Sequence, residues 1–392
     1  MVSLQVDPSG QTRICCMSSQ NLATNGKTIN IAAEDLLVAW NSDTRKEIRE
    51  SLQKGQKHIN CNLCWTEESA GRESKRIRDN RTFKSFEVYE SQPTLLDLKM
   101  GHLCNLKCRT CGSHSSSRWV KEEYDIEQSP RKDTFEKFSL KYQSYKAAFA
   151  DESKNWEILK SWSPRIRHFD FFGGEPMLIE NHWKLLKEIV ASGASNSQTL
   201  HYNTNGTIFP EEYFNLYNSF QGLEIAISVD GVEAQLEYIR HPAKWDQVKR
   251  NITLWKDKIN HLEIPQKNLS LCLTVSLYNI FDLDTIYNSL KEYGLYIFIN
   301  IVHWPDSLCI QNLPDQAKET ISEKLKSGFG DSWTESGAEA VILFMNQKKS
   351  EPLLWKEFLN KIKTHDQYRG ESFATTFPAY NQLIQKGTQS GH

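Results

Sequence analysis

Cys104, Cys108 and Cys111 lie in the stretch LDLKMGHLCNLKCRTCG with the spacing C-x3-C-x2-C, three thiols within eight residues. Thiolates are soft ligands that suit iron–sulfur clusters and zinc. Clusters built only to carry electrons are usually held by four cysteines. Three cysteines leave one iron of a [4Fe–4S] cluster open, and an open iron can hold a substrate or a cofactor. Zinc is the alternative here. It wants a closed four-ligand shell, and no fourth ligand follows at close spacing, although His102 and His114 are near in sequence.

Four more thiols precede this loop, as Cys15-Cys16 and as Cys61-x2-Cys64. Two close pairs suit an iron–sulfur cluster or a structural zinc. Neighbouring side chains diverge, so Cys15 and Cys16 are not expected to ligate one metal together. Cys272 falls in a strand-like run and reads as a small buried apolar residue. Cys309 falls in a loop and reads as a free thiol. Seven of nine cysteines lying in the first third in close clusters, with no basic-then-apolar leader at the start, favour metal ligation in a reducing cytoplasm over a disulfide framework.

The 392 residues suffice for one large domain and a smaller one. Net charge is −2 and the isoelectric point about 6.6, which gives no global attraction to nucleic acid or to an anionic membrane. No apolar run approaches the ~18 residues of a membrane span. The composition, 39% apolar and 24% charged, is that of an ordinary globular protein.

From about residue 94, apolar strand-like runs alternate with amphipathic stretches. The strands are expected at 95–100, 166–172, 199–204, 223–229, 269–276 and 296–301, and helices at 181–192, 210–219 and 280–292. This alternation predicts a parallel sheet with helical crossovers. The 119–163 connection reads as one or two helices with a loop near Ser129-Pro130. Helices are expected at 315–325 and 355–364, packed on the barrel or closing its open side, with disorder after Lys386.

Five motifs follow the strand runs in order: C-N-L-K-C-R-T-C at 104–111, F-F-G-G-E-P at 171–176, N-T-N-G at 203–206, I-S-V-D-G at 227–231 and T-V-S-L-Y-N at 274–279. In these the chain resembles the radical S-adenosylmethionine (radical SAM) superfamily over roughly 93–310, and within it the SPASM/twitch branch with auxiliary cluster segments. The resemblance implies an α/β fold: a partial (β/α)6 TIM-like barrel over 93–312, a cysteine-rich twitch-like segment over 1–92 and a helical C-terminal extension over 313–392. Barrels of this kind carry their chemistry at the C-terminal ends of the strands, where all five motifs fall.

The resemblance also implies the reaction. Cys104, Cys108 and Cys111 each hold one iron, and S-adenosylmethionine chelates the fourth. One electron breaks its S–C5′ bond, and the 5′-deoxyadenosyl radical takes a hydrogen atom from a substrate. Gly173, Gly174, Glu175 and Pro176 form the turn that meets the methionyl ammonium. Ser228 and Asp230 suit ribose hydroxyls, Asn203 and Asn205 offer further cofactor contacts, and Arg240 suits the methionyl carboxylate. Val275 lines either the adenine pocket or the core. Thr110 stands where the superfamily often has an aromatic residue, so adenine stacking must come from elsewhere. Cys15, Cys16, Cys61 and Cys64 are the expected ligands of a second iron–sulfur cluster, with zinc or no metal as alternatives. Related sequences tend to carry one more cysteine upstream.

The expected substrate is a peptide or protein. A dehydrogenase of a sugar-like or nucleoside-like small molecule and a non-catalytic metal-binding scaffold remain alternatives. The implied electron donor is of the flavodoxin or ferredoxin type, and the implied location is the cytoplasm, with no membrane or specific nucleic-acid partner. His201, Tyr202, Asn300, His303 and Asp306 are substrate-side candidates that more often serve structure, so no catalytic acid or base is assigned.

Overall fold

The computed structural model describes residues 3–69, 73–126, 134–150, 152–348 and 350–389. Ten strands form in chain order. They are β1 (Ser3–Val6), β2 (Thr12–Arg13), β3 (Ala23–Thr24), β4 (Lys27–Thr28), β5 (Leu95–Leu98), β6 (His168–Phe171), β7 (Thr199–Thr204), β8 (Gly222–Ser228), β9 (Gln266–Val275) and β10 (Tyr296–Ile301). Eight of them make one sheet in the order β10-β9-β8-β7-β6-β5-β1-β2. Strands β5 to β10 are all parallel and sequential neighbours, as an open (β/α)6 barrel requires. The apolar runs thus marked the strands correctly, and β7 and β10 have the expected bounds.

The N-terminal segment does not stand apart from this sheet. Strand β1 pairs in parallel with β5, placing Leu4 beside Leu96 and Gln5 beside Asp97, and β2 returns antiparallel. Gln5, with its amide oriented to satisfy both ends, donates to the Cys15 carbonyl (3.0 Å) and accepts from Lys99 Nζ (2.8 Å).

Side chains alternate across each strand, so the sheet has two unlike faces. One face packs on the helices: Phe171 and Tyr202 meet His182 of helix Glu180–Ala191, and the Tyr202 hydroxyl lies 2.7 Å from His182 Nε2. Leu98, Ile225, Ile227, Leu271, Leu273 and Val275 share that face and are fully buried. The other face lines the barrel interior and is polar. One register row runs Gln5, Asp97, Asp170, His201, Glu224, Asn268 across six strands. At the last strand the interior residues Tyr296, Phe298 and Asn300 are exposed, so the chamber opens sideways.

Three expectations change. The 210–219 stretch is a turn followed by a 3-10 helix, Phe214–Ser219; Phe214 and Tyr217 there stack around Trp255, and a run of Tyr, Phe and Asn has little helix propensity. The first connection holds three helices, Trp119–Ile126, Phe135–Ala148 and Lys154–Trp162, and Ser129-Pro130 lies outside the described residues. Helix Pro378–Gln389 continues past Lys386.

The C-terminal extension forms helices Asp315–Phe329, Ala338–Asn346 and Pro352–Arg369, then a single turn at Phe373–Thr376 and a last helix, Pro378–Gln389. Helix Pro352–Arg369 spans the open seam of the barrel. Beyond β10, Lys361 Nζ donates to Ser307 Oγ (2.9 Å). Beyond β5, Arg369 Nε donates to Glu122 (2.7 Å) and Tyr368 to Asp125 (2.7 Å). Among the described residues no helix is long and apolar enough to cross a membrane.

Candidate active site: three thiols at the barrel mouth

The cysteine loop leaves β5 and is anchored by its own backbone on three sides. Lys107 N and Arg109 N donate to the carbonyls of His241 and Ile239 (2.6 and 2.7 Å). Ser117 N donates to His102 O (2.7 Å), and Trp119 Nε1 donates to Cys108 O (3.0 Å). On the third side Glu175 N donates to Leu103 O (2.8 Å). Gly174 has φ +59°, and a Cβ there would lie 2.3 Å from the Leu103 oxygen. The second glycine of GGEP is therefore required by close backbone approach to the cysteine loop as well as by its dihedral.

This anchoring brings the three thiols together. The Cys111 thiol donates to Cys108 sulfur, which raises Cys111 well above and lowers Cys108 below the usual thiol range. Burial, and then the nearby Cys108, pushes Cys104 up to about 12. A bound metal centre reverses such preferences and deprotonates the ligating thiols. Cys104 and Cys108 are buried, whereas Cys111 is solvent-exposed although desolvation also raises it, the combination found on the wall of a recessed cavity. Among the described residues, the three thiol sulfurs do not all lie within 4.8 Å of one another. A single zinc ion needs its sulfurs about 3.8 Å apart. A triad wider than that suits a cluster, whose irons sit apart, better than a single zinc ion. His114 packs edge-on against Trp304 (5.0 Å), beyond β10, across the mouth.

The other motif residues surround this loop. Glu175 is fully buried, and burial pushes its carboxyl up to about 7. It accepts from Asn205 N (2.7 Å), Thr204 Oγ1 (2.8 Å) and Met177 N (3.2 Å), so its carboxylate is largely engaged within the chain. The Asn205 amide reaches Asn105 Oδ1 (2.9 Å) and Cys104 Sγ (3.9 Å) and accepts from Thr207. Asn205 thus ties the cysteine loop to β7. Asn203 and Ser228 are half-buried on the interior face, near the C-terminal ends of β7 and β8. Arg240 is no surface arginine: it is buried, pairs with Asp230 (2.9 Å) and stands within electrostatic reach of Cys108 and Cys111. Its Nε has no partner among the described residues. An orphaned buried guanidinium donor beside the thiols fits an incoming carboxylate. Val275 belongs to the core.

The N-terminal thiols divide. Cys15 lies within reach of Cys64, and Cys61 within reach of Cys64. Cys16 faces the barrel row instead, near Lys75, Asp97, Lys99 and Asp170. Burial is the main cause that raises all four, to about 12 for Cys15 and about 11 for Cys16. The segment is stapled by Glu68, which accepts from Arg76 (2.6 and 3.0 Å) and Ser74. Of the remaining cysteines, Cys272 is half-buried on the interior face of β9, not in the apolar core, and Cys309 is buried beside Gln311. Tyr202 and His303 make structural contacts, with His182 and Phe344, while His201 and Asn300 face the interior.

Sequence reading missed the clamp behind the loop. Arg109, between Cys108 and Cys111, is 2% exposed. Its guanidinium donates to Tyr238 O (3.1 Å), Asp366 (2.6 Å) and Glu371 (2.6 Å) and stacks on Tyr238 (3.6 Å). The missed pair His168 and Asp170 did leave a signal: two polar residues at i and i+2 in a strand whose other face is aromatic.

Residues 98–265 match the family model described as the radical SAM superfamily. This stretch is a radical SAM domain. No curated protein matches the chain in sequence. Among solved structures it is similar to hexahistidine-tagged anSMEcpe with bound AdoMet, at 17% identity over 66% of this chain and 61% of that one, TM-score 0.40. It is also similar to Streptococcus suis SuiB bound to S-adenosylmethionine, at 13% identity over 78% and 65%, TM-score 0.38. A third is the methyltransferase TsrM from Kitasatospora setae with tryptophan and a SAM analogue, at 11% identity over 55% and 39%, TM-score 0.34. The chain spans about three fifths of the length of the anSMEcpe chain.

Proposed function

We propose that this protein is a radical SAM enzyme that modifies a peptide or protein by hydrogen abstraction. The carrying observation is the C-x3-C-x2-C loop at the C-terminal end of β5, with an orphaned buried Arg240 donor within electrostatic reach of Cys108 and Cys111. Cys104, Cys108 and Cys111 would hold a [4Fe–4S] cluster with one open iron. When bound, the cluster and S-adenosylmethionine supply one electron and a sulfonium whose S–C5′ cleavage yields methionine and a 5′-deoxyadenosyl radical that becomes 5′-deoxyadenosine on taking the substrate's hydrogen.

The chain's part is placement. Arg240, held by Asp230, would receive the methionyl carboxylate. The turn at Gly173, Gly174, Glu175 and Pro176 would meet the ammonium, and Ser228 and Asn203 the nucleoside. Asn205, Thr204 and Arg109 keep the thiol loop in register with these groups. Exposed Tyr296, Phe298 and Asn300 leave the chamber open along β10, which favours an extended chain as substrate. The second reading, a small-molecule dehydrogenase, is favoured by the polar floor of Asp97, Asp170 and His201. In either case residues 93–312 carry the chemistry, 313–392 strap the mouth, and 1–92 form a twitch-like auxiliary segment. Cys15, Cys61 and Cys64 are its favoured cluster ligands, with Cys16 turned to the barrel. A cytoplasmic location and a flavodoxin- or ferredoxin-type donor complete the proposal.

Anaerobic reconstitution with iron and sulfide tests it. The expected result is about eight irons per chain, four at each site, and 5′-deoxyadenosine formed from S-adenosylmethionine only under reduction. About four irons with the same product would remove the auxiliary cluster alone. Fully loaded protein that forms no 5′-deoxyadenosine would overturn the enzyme.

A further inference from the structure

The floor of the barrel holds a donor set that neither cysteine group uses. His168 and Asp170 alternate on β6, and His201 stands beside Asp170 on β7. His168 Nε2 and His201 Nδ1 each lie 2.9 Å from the same oxygen, Asp170 Oδ1. One ligand atom from each of the three residues lies within 4.8 Å of the others, and this is the only such set among the described residues. Two donors held about 2.1 Å from one ion stand about 3.0–3.4 Å apart at octahedral to tetrahedral angles, so the spacing accommodates an ion after small side-chain shifts.

Two further observations point to a ligand. His168 Nδ1 is fixed by Thr199 Oγ1 (2.6 Å), the kind of support that sets the tautomer of a metal-binding imidazole. Next to Asp170 in the register row is Asp97, 3% exposed, whose Oδ1 has no hydrogen-bond partner among the described residues. It lies within electrostatic reach of both Asp170 and His201. A buried carboxylate oxygen without a partner is costly, and an ion bound by the neighbouring residues would remove that cost.

We propose that His168, Asp170 and His201 bind a divalent first-row transition-metal ion on the barrel floor, with Asp97 beside it. Two imidazoles and a carboxylate leave coordination positions open, so the ion could also take an oxygen or nitrogen donor of a substrate in the chamber. Lys75 and Lys99 lie within electrostatic reach of Asp97 and oppose a cation there.

Manganese(II), added alone to the reconstituted protein, is the probe, because this hard ion discriminates against thiolates. Loss of the free-ion electron paramagnetic resonance (EPR) signal should report one saturable site per chain. Pulsed EPR on the bound ion should show imidazole nitrogen coupling, which requires no variant. Asp170→Asn and His201→Ala should each weaken binding at least tenfold while cluster absorbance is retained. No saturable binding, bound manganese without imidazole coupling, or unchanged affinity in both variants would overturn the site. None of these readouts depends on S-adenosylmethionine cleavage, so the test stands apart from the proposed activity.

Discussion

Cys108→Ala loses the core-site iron and forms no detectable 5′-deoxyadenosine. Cys108 is the buried centre of the triad: it accepts from the Cys111 thiol, and its carbonyl is fixed by Trp119. Losing a residue behind a metal ligand already costs about 10–100-fold, so losing the ligand itself should lower turnover by about 100-fold or more. The measurement is iron per chain and 5′-deoxyadenosine after anaerobic reconstitution. Cys309→Ala is the control; that thiol is buried beside Gln311, far from any proposed ligand role, and should behave as wild type. Wild-type product from Cys108→Ala would refute the site.

The second large effect comes from a residue that binds nothing. Arg109→Met removes a buried cation from two carboxylates. Asp366 keeps Tyr238 OH and Phe373 N (both 2.7 Å), and Glu371 keeps His241, so the loss is partly cushioned. Breaking a buried ion pair on one side costs about 3–5 kcal/mol, and the lower end, about 3 kcal/mol, is expected here. For a chain of this length that is about 4 °C in melting temperature. The informative readout is local. Arg109 sits between two of the proposed cluster ligands, so iron retention at the core site should fall well before the fold melts. Arg109→Lys should restore the charge without the fork and recover only part of the loss. Calorimetry with iron analysis would show a merely structural arginine if stability fell while iron content held.

The contrast between these two residues shows what a sequence can carry. The thiols, GGEP and the six barrel strands are local patterns: an apolar run of four to eight residues buried on one or both faces, ended by a turn that needs glycine or a cap. Such patterns survive without structural knowledge, and β7 and β10 were legible to the residue. Arg109 and Asp366 are 257 residues apart, and no periodicity links them. The same holds for Arg369 and Glu122, which fasten the last long helix to the first helix of the barrel. The 3-10 segment at 214–219 was misread because charged residues after Pro210 resemble a helix start, while the aromatic residues that follow are claimed by Trp255. Cys16 could be separated from Cys15 in principle, because adjacent side chains diverge, but which of them turned to the barrel depended on β1 joining the sheet.

That sheet connection matters chemically. Through Gln5, the Cys15 carbonyl is tied to Lys99, and Cys16 faces Asp97 and Asp170, so the N-terminal thiols, the barrel floor and the mouth lie along one continuous polar face.

The most direct measurement is EPR of the reduced protein with S-adenosylmethionine carrying 15N in its amino group. Three protein thiols and an open iron predict a changed cluster signal on adding the cofactor and resolved coupling to the labelled nitrogen. An unchanged spectrum without coupling, in protein loaded with the core-site iron, would mean that the chain itself fills the fourth position.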